Sequence, residues 1–391
     1  MTVRAIKDEE RRVRLGARHH LADPADTVVD VTRALVALHG TDPASVYLAA
    51  AARMRVPDVG PVEKALYDDR LLLRMLGMRR TVFTVEDELA PVVQAACSND
   101  VARRERRKTV QFIEQAGLGD DAWFREVEEA TVAALRARGE AFTADLSADV
   151  PRLKERILLG EGKAYEARPT IANRVLLGLA AEGRVIRGRP RGSWTSSQFS
   201  WSPIEAWLPD GLPDIPVDEA RAELIRRWLA AYGPGTAADL KWWTGLTLTQ
   251  VRKALGGIDV EKVDLGGEDG YVLADDVDPV GDPGPWVALL PALDPTVMGW
   301  SGRDWYLGEH GPLLFDRTGN AGPTVWSDGR VVGGWAQRAD GEVVYRLLED
   351  TGTEAASAVA TEAARLTAWL GPVRIAPRAR GRSPVETELV A

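Results

Sequence analysis

The stretch Ala37-Leu38-His39-Gly40-Thr41-Asp42-Pro43 gathers an imidazole, a hydroxyl and a carboxylate within four positions. All three can handle protons or hydrogen bonds. An imidazole with an ordinary pKa of roughly 6.5 is mostly neutral at pH 7 and can orient or deprotonate a water. Thr41 can supply one hydrogen bond, and Asp42 can offer negative charge or fix the His39 tautomer. His39, Thr41 and Asp42 are therefore the candidate catalytic residues. The same residues also suit a plain helix end, with His39 favoured by the dipole, Gly40 as the stop and Asp42 capping the next element.

A second kind of chemistry lies in the arginines. Arg103, Arg104, Arg106, Arg107 and Lys108 fall within six positions, and Arg184, Arg187, Arg189 and Arg191 within eight. On a helix, Arg103, Arg106 and Arg107 are expected to point together. In the second run glycines alternate with arginines up to Ser193-Trp194; glycine lets backbone approach a phosphate and arginine neutralises it. Either run also fits a solvated face or an exposed hairpin. The net charge of −9 argues against indiscriminate binding of polyanions over the whole surface. The Trp242-Trp243 pair could stack a base or fill a core.

Composition removes several function classes. One cysteine, Cys97, excludes an internal disulfide and a cysteine-based zinc site. The four histidines lack metal-ligand spacing, so neither a metal nor a cofactor is expected. No apolar run reaches the roughly 18 residues that span a bilayer. The N-terminal residues are charged where a signal peptide needs an apolar core, which reads as cytoplasmic. Nothing specifies an oligomer, and a monomer is expected.

The elements that must position these groups form an α+β chain. Helices are expected over 1–20, 28–39, 44–53, 62–72 and 86–117, with a strand at 78–85. A long helix (122–138) then leads through Gly139 to a Thr143 cap, a helix at 170–181 and a strand-rich piece at 184–201. The same order returns as helix 217–232, Gly233, a Thr236 cap, helix 247–255 and strands over 258–273. Helix-turn-helix followed by a β-hairpin is the winged-helix order. Strands are expected at 286–290, 312–315, 324–326, 330–338, 342–347 and 373–376, a helix at 353–370, and a frayed tail from 378. The resulting segments are 1–117, 118–207, 217–275 and 286–377, with a proline-rich linker before the third.

Five stretches in this order resemble the bacterial winged-helix DNA-binding family that contains the AlkZ-type and YcaQ-type DNA glycosylases. They are Leu38-His39-Gly40-Thr41-Asp42, the run 74–81 (RMLGMRRT), the run 188–194 (GRPRGSW), the run 289–295 (LLPALDP) and the run 323–335 (PTVWSDGRVVGGW). The resemblance covers nearly the whole chain. It implies tandem winged-helix units plus a C-terminal β-rich, barrel-like domain, arranged around a basic channel for damaged double-stranded DNA. Arg79, Arg80, Arg103, Arg106, Arg107, Arg187, Arg189, Arg191 and Ser193 are the DNA-binding candidates.

Characterised members excise alkylated bases, using Gln-x-Gln or Gln-x-Asp at the position of His39 and Thr41; here neither amide is present. The implied activity is DNA glycosylase chemistry on alkylated or bulky cationic bases. Breaking an N-glycosidic bond passes through an oxocarbenium-like sugar that a carboxylate can stabilise. The alternative is a non-catalytic DNA-binding protein, a regulator or a lesion-recognition protein.

Overall fold

The computed structural model describes residues 3–163, 166–376 and 381–391. The outermost residues of the expected segments 1–117 and 286–377, and positions 378–380 of the expected tail, lie outside the described residues. The chain is mixed α+β, with 47% helix and 17% strand.

The N-terminal part runs β1 (Arg4–Ala5), α1 (Asp8–Arg18), α2 (Val28–Ala34), β2 (Leu38–His39) and α3 (Pro43–Ala51), then α4 (Val59–Glu63) with a π-turn at Lys64–Asp68. The hairpin β3 (Leu72–Leu76) and β4 (Val82–Glu86) is next, then α5 (Ala90–Val93), a second π-turn at Gln94–Ser98 and α6 (Asn99–Gln115). Two expectations need correction here. The helix expected to reach His39 stops at Ala34, because Val36 sits at φ 62 and turns the chain into β2. A β-branched residue at positive φ is strained, so the surrounding packing must impose it. Leu38 is fully buried from a strand as well as it would be from a helix, which is why its spacing misled. The strand expected at 78–85 is one arm of a hairpin, with Met78–Arg80 as its turn. Its other arm, β3, starts at Leu72, where the expected helix 62–72 was to end; the helical part of that stretch stops earlier, at Asp68.

Next come α7 (Asp121–Arg138), α8 (Thr143–Asp149), α9 (Ala172–Ala181), β5 (Val185–Pro190) and β6 (Phe199–Pro203). Asp120 caps α7 by accepting from Trp123 N at 3.0 Å, and Gly139 at φ 75 ends it. Thr143 is the first residue of α8 and not its cap; the Asp145 carboxylate accepts from Phe142 N at 3.0 Å instead.

The third stretch is α10 (Val217–Tyr232), β7 (Gly235–Thr236), α11 (Ala237–Thr244), α12 (Leu248–Leu255), β8 (Val260–Asp264) and β9 (Asp269–Leu273). Capping boxes formed by Thr236 with Asp239 and by Thr247 with Gln250 start α11 and α12.

One order of elements therefore occurs three times: helix, short strand, helix, helix, hairpin. In each copy the short strand pairs with the second arm of the hairpin. β2 lies on β4, a bridge joins Ala141 to Trp201 in β6, and β7 lies on β9. The first copy escapes a reading of the sequence because its opening helix has only seven residues.

The C-terminal part holds β10 (Val287–Leu290), α13 (Asp304–Leu307), α14 (Gly311–Leu314), β11 (Thr324–Ser327), β12 (Arg330–Gln337), β13 (Val343–Leu347), α15 (Gly352–Leu370) and α16 (Pro384–Leu389). Its four strands form an open antiparallel sheet in the order β10-β11-β12-β13, and no closed barrel forms among the described residues. Residues 312–315, expected as a strand, fall mainly in α14, where Pro312 suits a first turn. Residues 373–376 form no strand. The expected frayed tail instead carries α16, capped by Ser383 and anchored by buried Val385.

One large apolar core joins the N-terminal part, α10 and the C-terminal sheet, while residues 113–201 hold a smaller core of their own. Two long-range ties reinforce the larger assembly. Arg53 and Asp294 are both fully buried and paired through two bonds of 2.8 and 2.7 Å. β1 pairs in parallel with β8, tying the N-terminus to the third stretch.

Candidate functional site

The turn from β2 into α3 carries the three candidate catalytic residues. Along β2 side chains alternate, so the partners across the sheet fix where each one goes. His39 lies opposite Phe83. Its ring meets the Phe83 ring edge-on at 5.5 Å, and its Nδ1 has no hydrogen-bond partner. Burial, helped by the positive charge of Arg79, lowers the His39 pKa to about 3. The imidazole is therefore neutral at every physiological pH.

Thr41 and Asp42 point elsewhere. Thr41 is exposed and lines a cleft of about 240 Å³ together with Arg80, Arg174 and Arg187. Asp42 accepts from Ala44 N at 3.1 Å as the cap of α3, and it borders a small cavity of about 50 Å³ beside Ser45, Pro291 and Gln337. Among the described residues no hydrogen bond joins Asp42 to His39, so the tautomer role imagined for Asp42 is not made in this geometry. The three residues share one turn but open onto three different environments.

The basic residues divide around α6. Arg103, Arg104 and Arg107 line a second cleft of about 240 Å³, shared with Arg79, Thr247 and Gln250 at the start of α12. Asp100 also borders it, and Arg103 is paired to that carboxylate. Arg106 does not join this face. It turns to α7, where Asp121 and Glu128 hold it at 2.9 and 2.6 Å. The expected alignment fails because a helical face three and four residues wide is split when a neighbouring helix offers carboxylates to one member only.

Arg79 and Arg80 sit at φ 52 and 62, in the turn of the β3–β4 hairpin. Two successive left-handed residues send them to opposite clefts. The Arg79 guanidinium lies 4.0 Å from the centre of the Trp242 ring, and Arg303 lies 4.7 Å from the same ring. Burial and the Arg303 charge lower the Arg79 pKa to about 10. Arg80 pairs with Glu105 at 2.9 Å. Of the tryptophan pair, Trp243 is core and Trp242 is half-buried beneath the two arginines.

On the β5–β6 hairpin, Arg187 reaches the cleft of Thr41. Arg189 is tied to Glu63 and Asp68 at 2.8 and 2.9 Å, so it docks the hairpin on the N-terminal part. Arg191 lies over Phe142, 4.1 Å from the ring centre, and Ser193 is exposed beside Thr195.

Arg174 on α9 and Arg303 before α13 were not singled out in the sequence. Each is an isolated arginine with no cluster or motif to mark it. Arg53 and Asp294 belong to the same class, although Asp294 falls inside one of the family-like runs. Its place there is structural, since it pairs with Arg53 and accepts from Thr296 N at 2.9 Å.

Comparison with known proteins bears on all of this. The family described as DNA glycosylase AlkZ-like matches residues 32–369. The interstrand DNA cross-link repair glycosylase of Streptomyces sahachiroi is 31% identical over 215 residues, an alignment spanning 51% of this chain and 57% of that protein. The structure of the Streptomyces sahachiroi DNA glycosylase AlkZ is similar, with a TM-score of 0.73 and 22% identity over 96% of this chain and 99% of that one. At that identity the likeness speaks for the fold. The family match runs from within the first repeated unit through the other two and most of the C-terminal part, and on that extent this chain belongs to the AlkZ-like DNA glycosylase family.

Proposed function

We propose that this protein is a DNA glycosylase that hydrolyses the N-glycosidic bond of an alkylated, cationic base in duplex DNA, with the β2–α3 turn as its reactive segment. The observation that carries the reading is Thr41, exposed on that turn and facing a cleft with Arg80, Arg174 and Arg187. The three repeated units are read as winged-helix modules spanning 1–117, 118–207 and 217–275, with 286–377 as a β-rich module. Arg79, Arg80, Arg103, Arg107, Arg187, Arg191 and Ser193 are the contacts proposed for the DNA backbone.

The chemistry derives from the groups that the turn holds. A neutral His39 and the Thr41 hydroxyl can orient a water towards C1′, but neither is a strong acid. The Asp42 carboxylate already accepts from Ala44 N and adds negative potential to the turn. Such a set suits a base that departs without protonation, and an N7-alkylated guanine carries its own positive charge. The substrate thus supplies what the protein lacks.

The test is direct. Duplex DNA containing N7-methylguanine is incubated with the protein, and abasic sites are read by alkaline cleavage. His39→Ala is expected to lower the rate by roughly 10²-fold, the lower end for loss of a proton-handling group. Wild-type product from His39→Ala would remove the turn from the mechanism.

A second reading, DNA binding without catalysis, is favoured by one observation: His39 is buried and its Nδ1 has no partner to fix the ring. Salt-sensitive duplex binding with no product from any lesion would select it.

A further inference from the structure

Between the N-terminal hairpin and the β5–β6 hairpin lies a group of polar side chains that the protein leaves unsatisfied. Arg74 on β3 is only 3% exposed, and its Nε, Nη1 and Nη2 atoms all lack a hydrogen-bond partner. Its cross-strand neighbour Thr84 is fully buried, with an unpartnered hydroxyl. The hydroxyls of Tyr47 and Tyr67 are buried and have no hydrogen-bond partner. Arg187 approaches from the other side. The guanidinium groups of Arg74 and Arg187 lie 5.0 and 5.4 Å from the centre of the same Phe199 ring. Neither arginine has a carboxylate partner among the described residues, since the nearby Glu63 is engaged by Arg189. Burial and the charge of Arg74 lower the Arg187 pKa to about 10.

A buried cation beside a half-buried one, neither with a counter-charge, is costly to hold, and buried donors without acceptors add to that cost. The same set would be satisfied by one acceptor-rich anion. Arg74 offers a planar fork of donors, and the three hydroxyls add donors from other directions. That is more than the two oxygens of a carboxylate can use, and it suits a tetrahedral oxyanion. Sheet geometry places the group next to a cleft. Arg74 and Thr84 share a face of the hairpin with Leu76 and Val82, which line the cleft of Thr41 together with Arg187.

We propose that Arg74, Arg187, Thr84, Tyr47 and Tyr67 form a phosphate-binding site beside the Thr41 cleft, behind Leu76 and Val82. The phosphate is either a backbone phosphodiester of the strand lying in that cleft or free inorganic phosphate. The first source rests on the glycosylase reading; the site itself does not.

The experiment titrates inorganic phosphate into the full chain at constant ionic strength, balanced with chloride, and follows thermal unfolding. Wild-type protein is expected to gain roughly 2 °C or more in Tm, because the ligand binds only the folded state. Arg74→Gln and Arg187→Gln should abolish the gain, and Arg346→Gln, at an exposed site on β13, should keep it. If Arg74→Gln fails to fold, the more accessible Arg187→Gln gives the reading. Duplex binding separates the sources. If the backbone occupies the site, phosphate at constant ionic strength competes with DNA and weakens duplex binding. If free phosphate occupies it, DNA and phosphate bind together and duplex affinity is unchanged by phosphate. No phosphate-specific gain in the wild type would overturn the site. A gain without any base excision would keep it and discard the glycosylase reading.

Discussion

At the residue scale, His39 is defined by burial more than by its neighbours in sequence. Its pKa of about 3 in the folded chain is far below the roughly 6.5 of an unfolded histidine. The unfolded chain therefore takes up the proton first as pH falls. The stabilisation from keeping His39 neutral is fully present above about pH 6.5 and is lost progressively towards pH 3. By pH 5 the loss is about 2 kcal/mol from this residue, and His19, whose pKa burial also holds well below the ordinary value, acts in the same direction. Urea midpoints at pH 8 and pH 5 measure it, and His39→Gln should shrink the difference. The same shift predicts that any base-excision rate has no His39 titration between pH 5.5 and 8. A rate change in that window that disappeared in His39→Gln would contradict a buried neutral imidazole. Asp42 has a separate role in stability, and Asp42→Ala should cost about 1 kcal/mol through the lost cap of α3.

At the scale of elements, α6 is a divider. Arg103 and Arg107 line one of its two clefts, while Arg106 is held by α7. Their substitution should therefore separate binding from stability. Arg103→Gln with Arg107→Gln is expected to lower the salt slope of duplex binding by up to roughly 2, with little change in Tm. Arg106→Gln should leave the slope alone and lower stability, because Glu128, 2% exposed, loses its partner. Salt titrations and melting curves on the same preparations decide it; a slope loss from Arg106→Gln would restore that residue to the interface. The hairpin of β5 and β6 divides likewise, with Arg189 used for docking and Arg187 left for the cleft.

For the whole molecule, the N-terminal and C-terminal parts are locked by Arg53 and Asp294, and Arg53 also engages Thr296. Arg53→Met strands a buried carboxylate and should cost about 3–5 kcal/mol, whereas Arg53→Met with Asp294→Leu should recover part of that loss. Chemical denaturation of the wild type and both variants measures the coupling. This lock holds the loop after β10 against α3, so it also fixes the base of the candidate turn.

The sequence by itself determined the repeated order of elements in two of its three copies, because capping pairs such as Thr236 with Asp239 and helical apolar spacing act over a few residues. It also carried the family, through runs such as 188–194, and it marked the turn at 37–43. Tertiary structure alone decided what that turn holds. Val36 at positive φ makes His39 a strand residue, and the sheet partners then send His39 to Phe83 and leave Thr41 in the cleft. The same holds for the arginines. Spacing grouped Arg103 with Arg106, and the carboxylates of the next helix parted them. Arg74, within a run noted only for its family likeness, lies buried opposite Thr84 and without a hydrogen-bond partner, which spacing does not reveal. Local propensity is written in neighbouring residues; burial, charge pairing and the direction of a side chain depend on partners that only folding brings near.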